Sequence, residues 1–406
     1  MAADASMIRK TLTRSLARSL GLAAVLTLTP LAAMAQTAQP YSAVQPASAY
    51  APAITAARTA IADYMAKRGV PGLSVSVSIN GVRVWSEGFG FADVEQGVPV
   101  TPSTRFRSGS TAKPISMAAA ARLHDQGKLD FDTRVQTLVP GFPVKSKPIT
   151  FRMLAGHLGG FRHYPQDGSE FFNTRRYEDV LETLDVFKND PLVGPPGEIY
   201  NYSSNGTNLQ GAMTQAAGGK PFLELVQTLV FGPLGMTSSS GDRVEDIIPN
   251  RTRYYERTGG EPTYRIRKSS WGKGERGVLL NAPYTDNSNK FPSGGYITTP
   301  EDLVTFGNAH LQPGFLKADT LRQLFTSQKT ADGKETGYGM NWHIDTDRNG
   351  VSTIRHTGSS VGGNSIVLMY PGQKVVLAIQ TNLTDSRLGE LPETVGSLFL
   401  ATASQP

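Results

Sequence analysis

Ser110-Thr-Ala-Lys113, with Pro114 directly after it, opens an Ala-rich stretch over 111–126 whose composition predicts a helix. A proline inside the first turn costs little, because the N–H it lacks has no partner there. Ser110 is thereby placed at a helix N-terminus. Residues three apart on a helix share a face, so the amine of Lys113 can reach the hydroxyl of Ser110. A serine alkoxide is hard to make near neutral pH and needs an adjacent base. Lysine serves when burial or a nearby cation favours its neutral form. The helix end adds backbone N–H groups and a positive field beside a reacting carbonyl.

Working outward, 54–67 carries apolar residues at helical spacing (Ile54, Ile61, Met65) and is closed by Gly69 and Pro71. The runs 73–79 and 82–89 flank Asn80-Gly81, the signature of a two-residue β-hairpin. Helical patterns follow at 208–217 and 221–229. The segment 237–290 is polar and Gly-rich and reads as long loops with a short hairpin. Strand signals return at 365–369 and 375–380, and a closing helix spans 392–403. This order predicts an α+β fold. The first hairpin and the last strands would complete one antiparallel sheet, flanked by helices. The middle helices would form a second lobe, with the active site in the cleft between the two.

Two further stretches carry chemistry. Tyr202-Ser-Ser204 lies just before the helix predicted at 208–217, where a phenol could relay a proton to a leaving group. His356-Thr-Gly358, followed by Ser359, lies just before the late strands. A glycine-flanked strand edge lets a substrate lie along the backbone and can present an N–H to an oxyanion.

The 406 residues are 39% hydrophobic and 18% charged, enough apolar material for a true core. There is no cysteine, which excludes disulfides, thiolate metal sites and cysteine nucleophiles. The formal charge of +6 is uneven: Arg9, Lys10, Arg14 and Arg18 against Asp4 place +3 in the first 35 residues. The densest remaining basic run, Tyr264-Arg-Ile-Arg-Lys268, reads as a solvated loop, and no nucleic-acid partner is expected. No H-x-x-x-H spacing, P-loop or GxGxxG helix opening occurs, so neither metal nor cofactor is expected. His124, His310 and His343 read as surface or packing residues, His157 and His163 as structural, and Trp342 and Phe291 as packing.

The basic stretch 9–18, the apolar stretch 20–32 and Ala33-Met34-Ala35 read as a secretory signal cleaved after Ala35. The expected location is periplasmic or secreted, with no stable membrane span after cleavage. Residues 36–52 read as a flexible lead-in. Residues 53–404 read as one two-lobed domain, with a sheet lobe of about 53–105 and 291–404 and a helical and loop lobe of about 106–290. Oligomeric state has no signature in the sequence.

S-x-x-K, then Y-x-S, then H-T-G, in this order, resembles the serine β-lactamase and penicillin-binding superfamily, in its class C-like branch. Phe106-Arg-Ser-Gly, Gln126-Gly-Lys-Leu-Asp130, Ile149-Thr-Phe-Arg-Met-Leu154, Thr299-Pro-Glu-Asp-Leu303 and Tyr338-Gly-Met-Asn-Trp342 extend the likeness over about 54–400, the last resembling the strand before the third motif. Arg162-His-Tyr164 and Tyr202-Ser-Ser204 are similar to the mitochondrial β-lactamase-like serine proteases and their bacterial relatives. The resemblance implies an acyl-enzyme on Ser110. Lys113 and Tyr202 would share the general-base and general-acid work. The amides of Ser110 and Ser359 would form the oxyanion hole, and Ser204, His356, Thr357 and Gly358 would line the substrate site, with His356 binding substrate or supporting Tyr202. Two positions depart from the common pattern. Ser204 stands where Asn is frequent, and His356 where a fixed lysine cation is frequent. Both weaken efficient β-lactam hydrolysis and leave an esterase or peptidase as the leading reading. A β-lactamase or D,D-carboxypeptidase is the alternative. A catalytically inactive binding protein on the same fold is a second, against which stands the presence of Ser110, Lys113 and Tyr202 together. The expected partner is a small ester, peptide or β-lactam substrate.

Overall fold

Asn80 and Gly81 both adopt positive φ (53° and 81°), the conformation of the tight turn predicted there. They join strands Gly72–Ile79 and Val82–Asp93. The computed structural model describes residues 41–42, 48–257 and 278–403. The signal-peptide segment and the Tyr264–Lys268 run lie outside the described residues.

The hairpin is the start of one antiparallel sheet. Its order is Tyr41–Ser42, Val82–Asp93, Gly72–Ile79, Val375–Thr381, Gly363–Tyr370, Ser352–Ser360 and His343–Thr346. The predicted union of first hairpin and last strands is therefore observed. Tyr41–Ser42, placed by its composition in a flexible lead-in, instead pairs with Glu87 and Gly88 at the sheet edge.

Helices cover both faces. Ala51–Arg68 and the closing helix Leu391–Ala403 pack on one face, where Ile54, Ala57 and Ile61 meet Leu73, Val75, Val77 and Phe399. Trp85 stacks on Phe399 at 5.8 Å. Burying side chains of this size contributes about 1.5–3 kcal/mol each. The opposite face carries Val367, Met369, Val376 and Ala378, which join the core of the helical lobe around Ala112–Asp125 and Ser204–Gly218.

Strand Gly72–Ile79 alternates Leu, Val and Ile with Ser74, Ser76 and Ser78, a pattern that ordinarily marks a solvated face. Here the serines are buried, because helix Pro300–Asn308 lies over them. Ser78 Oγ donates to Asn308 Oδ1 at 2.8 Å. Small side chains let that helix come close: a methyl group on Gly307 would stand 2.5 Å from a Val376 methyl. Sequence patterning did not single out this helix, nor Ala318–Leu324, nor strand His343–Thr346. The Tyr338–Trp342 stretch, compared above with a strand, is an irregular segment leading into that strand, with Asn341 at φ 59°.

Within 237–290, Tyr255–Arg257 pairs with Leu279–Asn281 as a short ladder, in keeping with the predicted hairpin. Among the described residues no helix is long and apolar enough to cross a membrane.

The sheet meets the helical lobe where strand Ser352–Ser360 crosses the one-turn 3-10 helix Gly109–Thr111. Contact there is backbone to backbone. A methyl group on Gly358 would lie 2.1 Å from the Ser108 carbonyl oxygen, and one on Gly109 would lie 2.7 Å from the Ser359 nitrogen. Gly109 also needs its left-handed φ of 51°. Gly358→Ala is expected to destabilise the protein by about 1–3 kcal/mol in urea unfolding, the usual cost of overpacking. Gly141→Ala, where nothing lies within 4 Å, should stay within about 0.5 kcal/mol of the parent.

Candidate active site

Gly109–Thr111 leads directly into helix Ala112–Asp125, so Ser110 stands at the mouth of the helix, half-buried, one turn from Lys113. Arg107 anchors the approach. Its guanidinium is buried, pairs with Asp242 at 2.7 Å, and donates to the carbonyls of Val361 and Thr285. The segment entering the helix is thus tied to the end of the strand that crosses it.

Lys113 is fully buried. Its Nζ lies 3.0 Å from Ser110 Oγ, 3.0 Å from Ser204 Oγ and 2.8 Å from the carbonyl oxygen of Ser293. Burial holds the amine well below its ordinary value of 10.5, and among the described residues no carboxylate pairs with it. Three partners suit an uncharged amine. In the uncharged form its two N–H groups would donate to the Ser293 carbonyl and to Ser204, turning its lone pair to the Ser110 hydroxyl. Such an amine can take the Ser110 proton as the oxygen attacks a carbonyl.

Tyr202 stands two residues before Ser204, where the second-motif helix begins. That start is four residues earlier than the periodicity suggested. Ser203 caps the helix: its Oγ accepts from the Gly206 N–H at 3.0 Å and donates to the Arg162 carbonyl at 2.6 Å. The Tyr202 ring centroid is 4.8 Å from Lys113 Nζ. The ring packs against His157 at 4.3 Å and meets His163 edge-on at 5.5 Å.

The third motif lies within strand Ser352–Ser360 rather than before it. The outer strand His343–Thr346 reaches only as far as the His343–Arg355 pair. Beyond that point, the edge at residues 356–360 has no strand beside it among the described residues. The Ser110 and Ser359 nitrogens both lie close against the crossing of this strand with Gly109–Thr111. A Cβ on Gly358 would lie 2.8 Å from the Ser110 nitrogen, and the Ser359 nitrogen faces Gly109 as described. Two such donors beside a serine hydroxyl can hold a tetrahedral oxyanion. Thr357 and Ser359 are exposed; with Arg387, Leu388 and Glu393 they line a cleft of about 400 Å³ beside the start of the closing helix, and Ser110, Lys113 and Tyr202 are not part of its lining.

Ser110, Lys113 and Tyr202 are therefore brought together, and Gly358 and Ser359 adjoin them. Ser204 and His356, read from sequence as substrate-facing, are not placed so: each is 1% exposed. Ser204 is turned onto Lys113, and its N–H donates to His163 Nδ1 at 3.2 Å. His356 points into the lobe interface, because strand alternation sends Thr357 and Ser359 to the other face. Of the two roles open to His356, support of Tyr202 fits this placement. Sequence reasoning missed Ser293, whose carbonyl holds Lys113, and Tyr338, which contacts two buried histidines. A backbone carbonyl leaves no sequence signal. Tyr338 was visible only as part of a wider likeness. His343, set aside as surface or packing, lies 5.3 Å from the His356 ring. Among the described residues no group of His, Asp or Glu is arranged to hold a metal ion.

A family model described as Beta-lactamase matches residues 57–395. The chain is 30% identical to the human "Serine beta-lactamase-like protein LACTB, mitochondrial", over 75% of this chain and 69% of that protein. It is 27% identical to "Penicillin-binding protein 4" of Amycolatopsis lactamdurans, over 77% of this chain and 81% of that one. A solved structure of the D-amino acid amidase from Ochrobactrum anthropi superposes with a TM-score of 0.72 at 21% identity, covering 86% of this chain and 97% of that one, which shows a shared fold.

The buried amine carries a stability signature. The unfolded chain binds a proton at Lys113 up to about pH 10.4, while the folded chain releases it at lower pH. Between those two values the unfolded state holds more protons, so stability rises with pH across that window. Lys113→Met is expected to remove this slope in urea unfolding at neutral and alkaline pH, and to slow acylation of Ser110 by about 10³-fold or more.

Proposed function

The chain belongs to the beta-lactamase family of serine hydrolases, and from that premise we propose that Ser110 is the nucleophile of an esterase or peptidase working through an acyl-enzyme. The observation that carries the reading is the Lys113 amine, buried with no carboxylate pairing with it among the described residues and 3.0 Å from Ser110 Oγ. Ser110 Oγ attacks the substrate carbonyl and its proton passes to Lys113. The Ser110 and Ser359 amides take the negative charge that develops on the carbonyl oxygen. The proton then reaches the leaving alcohol or amine through Tyr202, whose ring adjoins the amine. In the second step water attacks the ester carbonyl, gives a proton back along the same route, and frees Ser110 with release of the acid.

Substrate class follows from charge. His356 is buried, and that burial holds it well below its ordinary 6.5, so it offers no fixed cation to a substrate carboxylate. Neutral esters and amides suit this site better than β-lactams, which would turn over slowly. The protein is proposed to act outside the cytoplasm, on the strength of the basic, apolar and small-residue succession ending at Ala35. N-terminal sequencing of the protein from a periplasmic fraction should begin at Gln36. An N-terminus upstream of that residue would overturn the export reading.

A fluorophosphonate should leave one adduct, on Ser110, identified by peptide mapping. Ser110→Ala should lose the adduct and lower kcat on short-chain esters by about 10⁴-fold or more. Equal turnover by the two proteins across a broad ester panel would favour a binding protein on a catalytic fold.

A further inference from the structure

Three buried rings outside the Ser110–Lys113–Tyr202 cluster form a continuous hydrogen-bond chain. The Ser203 N–H donates to His157 Nδ1 at 3.3 Å. His157 Nε2 lies 3.2 Å from the Tyr338 hydroxyl, and that hydroxyl lies 2.9 Å from His356 Nε2. His356 Nδ1 closes the chain on the Thr357 carbonyl at 2.7 Å. His157, Tyr338 and His356 are all buried.

The two ends of the chain fix every proton in it. A backbone N–H can only donate, so His157 Nδ1 carries a lone pair and its Nε2 carries the hydrogen. A backbone carbonyl can only accept, so His356 Nδ1 carries the hydrogen and its Nε2 the lone pair. The Tyr338 hydroxyl then accepts from His157 and donates to His356, the one orientation that satisfies both rings. All bonds point from the second motif towards the third. The chain also surrounds Tyr202: its ring centroid is 4.3 Å from that of His157, 6.3 Å from that of His356 and 6.4 Å from that of Tyr338.

We propose that His157, Tyr338 and His356 are positioning residues whose one-way chain ties the backbone after Tyr202 to the strand bearing the Ser359 amide. The phenol and the oxyanion donor come from segments more than a hundred residues apart, and this chain holds them in one geometry. The proposal rests on the hydrolase reading above for its consequence in catalysis, but not for its geometry. The titratable groups facing the two imidazoles are Lys113 from the nucleophile helix, His163, Tyr200 and Tyr202 from the loops around the second motif, and His343 from the outer strand, and none of these is a carboxylate that would favour a protonated ring. Burial is what holds both rings well below the ordinary histidine value of 6.5.

The test is long-range ¹H–¹⁵N correlation on the full chain with ¹⁵N-labelled histidine, assigned with His157→Gln and His356→Gln. His157 should be the Nε2–H tautomer and His356 the Nδ1–H tautomer, neither titrating between about pH 5 and 8. The opposite tautomer at either ring, or titration inside that window, overturns the proposal. Tyr338→Phe supplies the kinetic arm. It should lower kcat on an ester by about tenfold with KM within about threefold, as expected for a misplaced group. Its acid limb should move to higher pH, since His356 Nε2 loses the donor that keeps it neutral. An unmoved pH profile in a folded Tyr338→Phe protein would reduce the chain to packing and overturn the role assigned to it. Loss of fluorophosphonate labelling at Ser110 in the parent would instead overturn the hydrolase reading and leave the tautomers standing.

Discussion

A lysine amine taken out of water, with no carboxylate paired to it among the described residues, is the constraint on which the site depends. An isolated buried ammonium is costly, and burial accordingly holds Lys113 well below its ordinary 10.5. A lysine left on the surface would be charged and useless as a base near neutrality. The same environment that makes the amine neutral also orients it. In its neutral form the amine would give its two hydrogens to Ser293 and Ser204, leaving the lone pair for Ser110. Stability is given up at this point, as is common where side chains are poised for chemistry.

The surrounding fold makes that burial possible. The amine sits under three segments distant in sequence: the turn into Ala112–Asp125, the start of Ser204–Gly218, and the Ser293 turn. The strand carrying Gly358 closes the fourth side. Its approach is backbone to backbone, which glycine at 109 and 358 permits and any side chain there would block. The free edge at 356–360 follows from the shortness of the outer strand, so a substrate can lie beside the Ser359 amide. Arg107 and Asp242 lock the entry to the helix from behind.

Much of this was legible in the residues. Asn80-Gly81 announced the hairpin, the Ala-rich run after Ser110 announced the helix, and three spaced motifs announced the site. What escaped was set by tertiary contact. The alternation of Ser74, Ser76 and Ser78 is ordinarily that of a wet face, but the helix that covers it, Pro300–Asn308, comes from far along the chain. That helix did carry its own start signal. Thr299 accepts from the Asp302 N–H, with Pro300 next to it and two acidic residues in the first turn. Ser204 and His356 were placed in the substrate cleft by likeness to motifs whose side chains differ. A short hydroxyl and a neutral imidazole satisfy themselves inside the protein instead. Tyr338 and His157 gained their meaning only when two lobes were brought together.

Activation of Ser110 turns on the charge state of one amine. Titration of Lys113, followed through its ¹³Cε and ¹⁵Nζ resonances in uniformly labelled protein with Lys113→Arg for assignment, reads that state without substrate. A midpoint well below 10.5, with the neutral amine populated near pH 7, is the predicted result. A resonance that stays that of an ammonium up to the ordinary lysine range would contradict it, and Ser110 would then have no base.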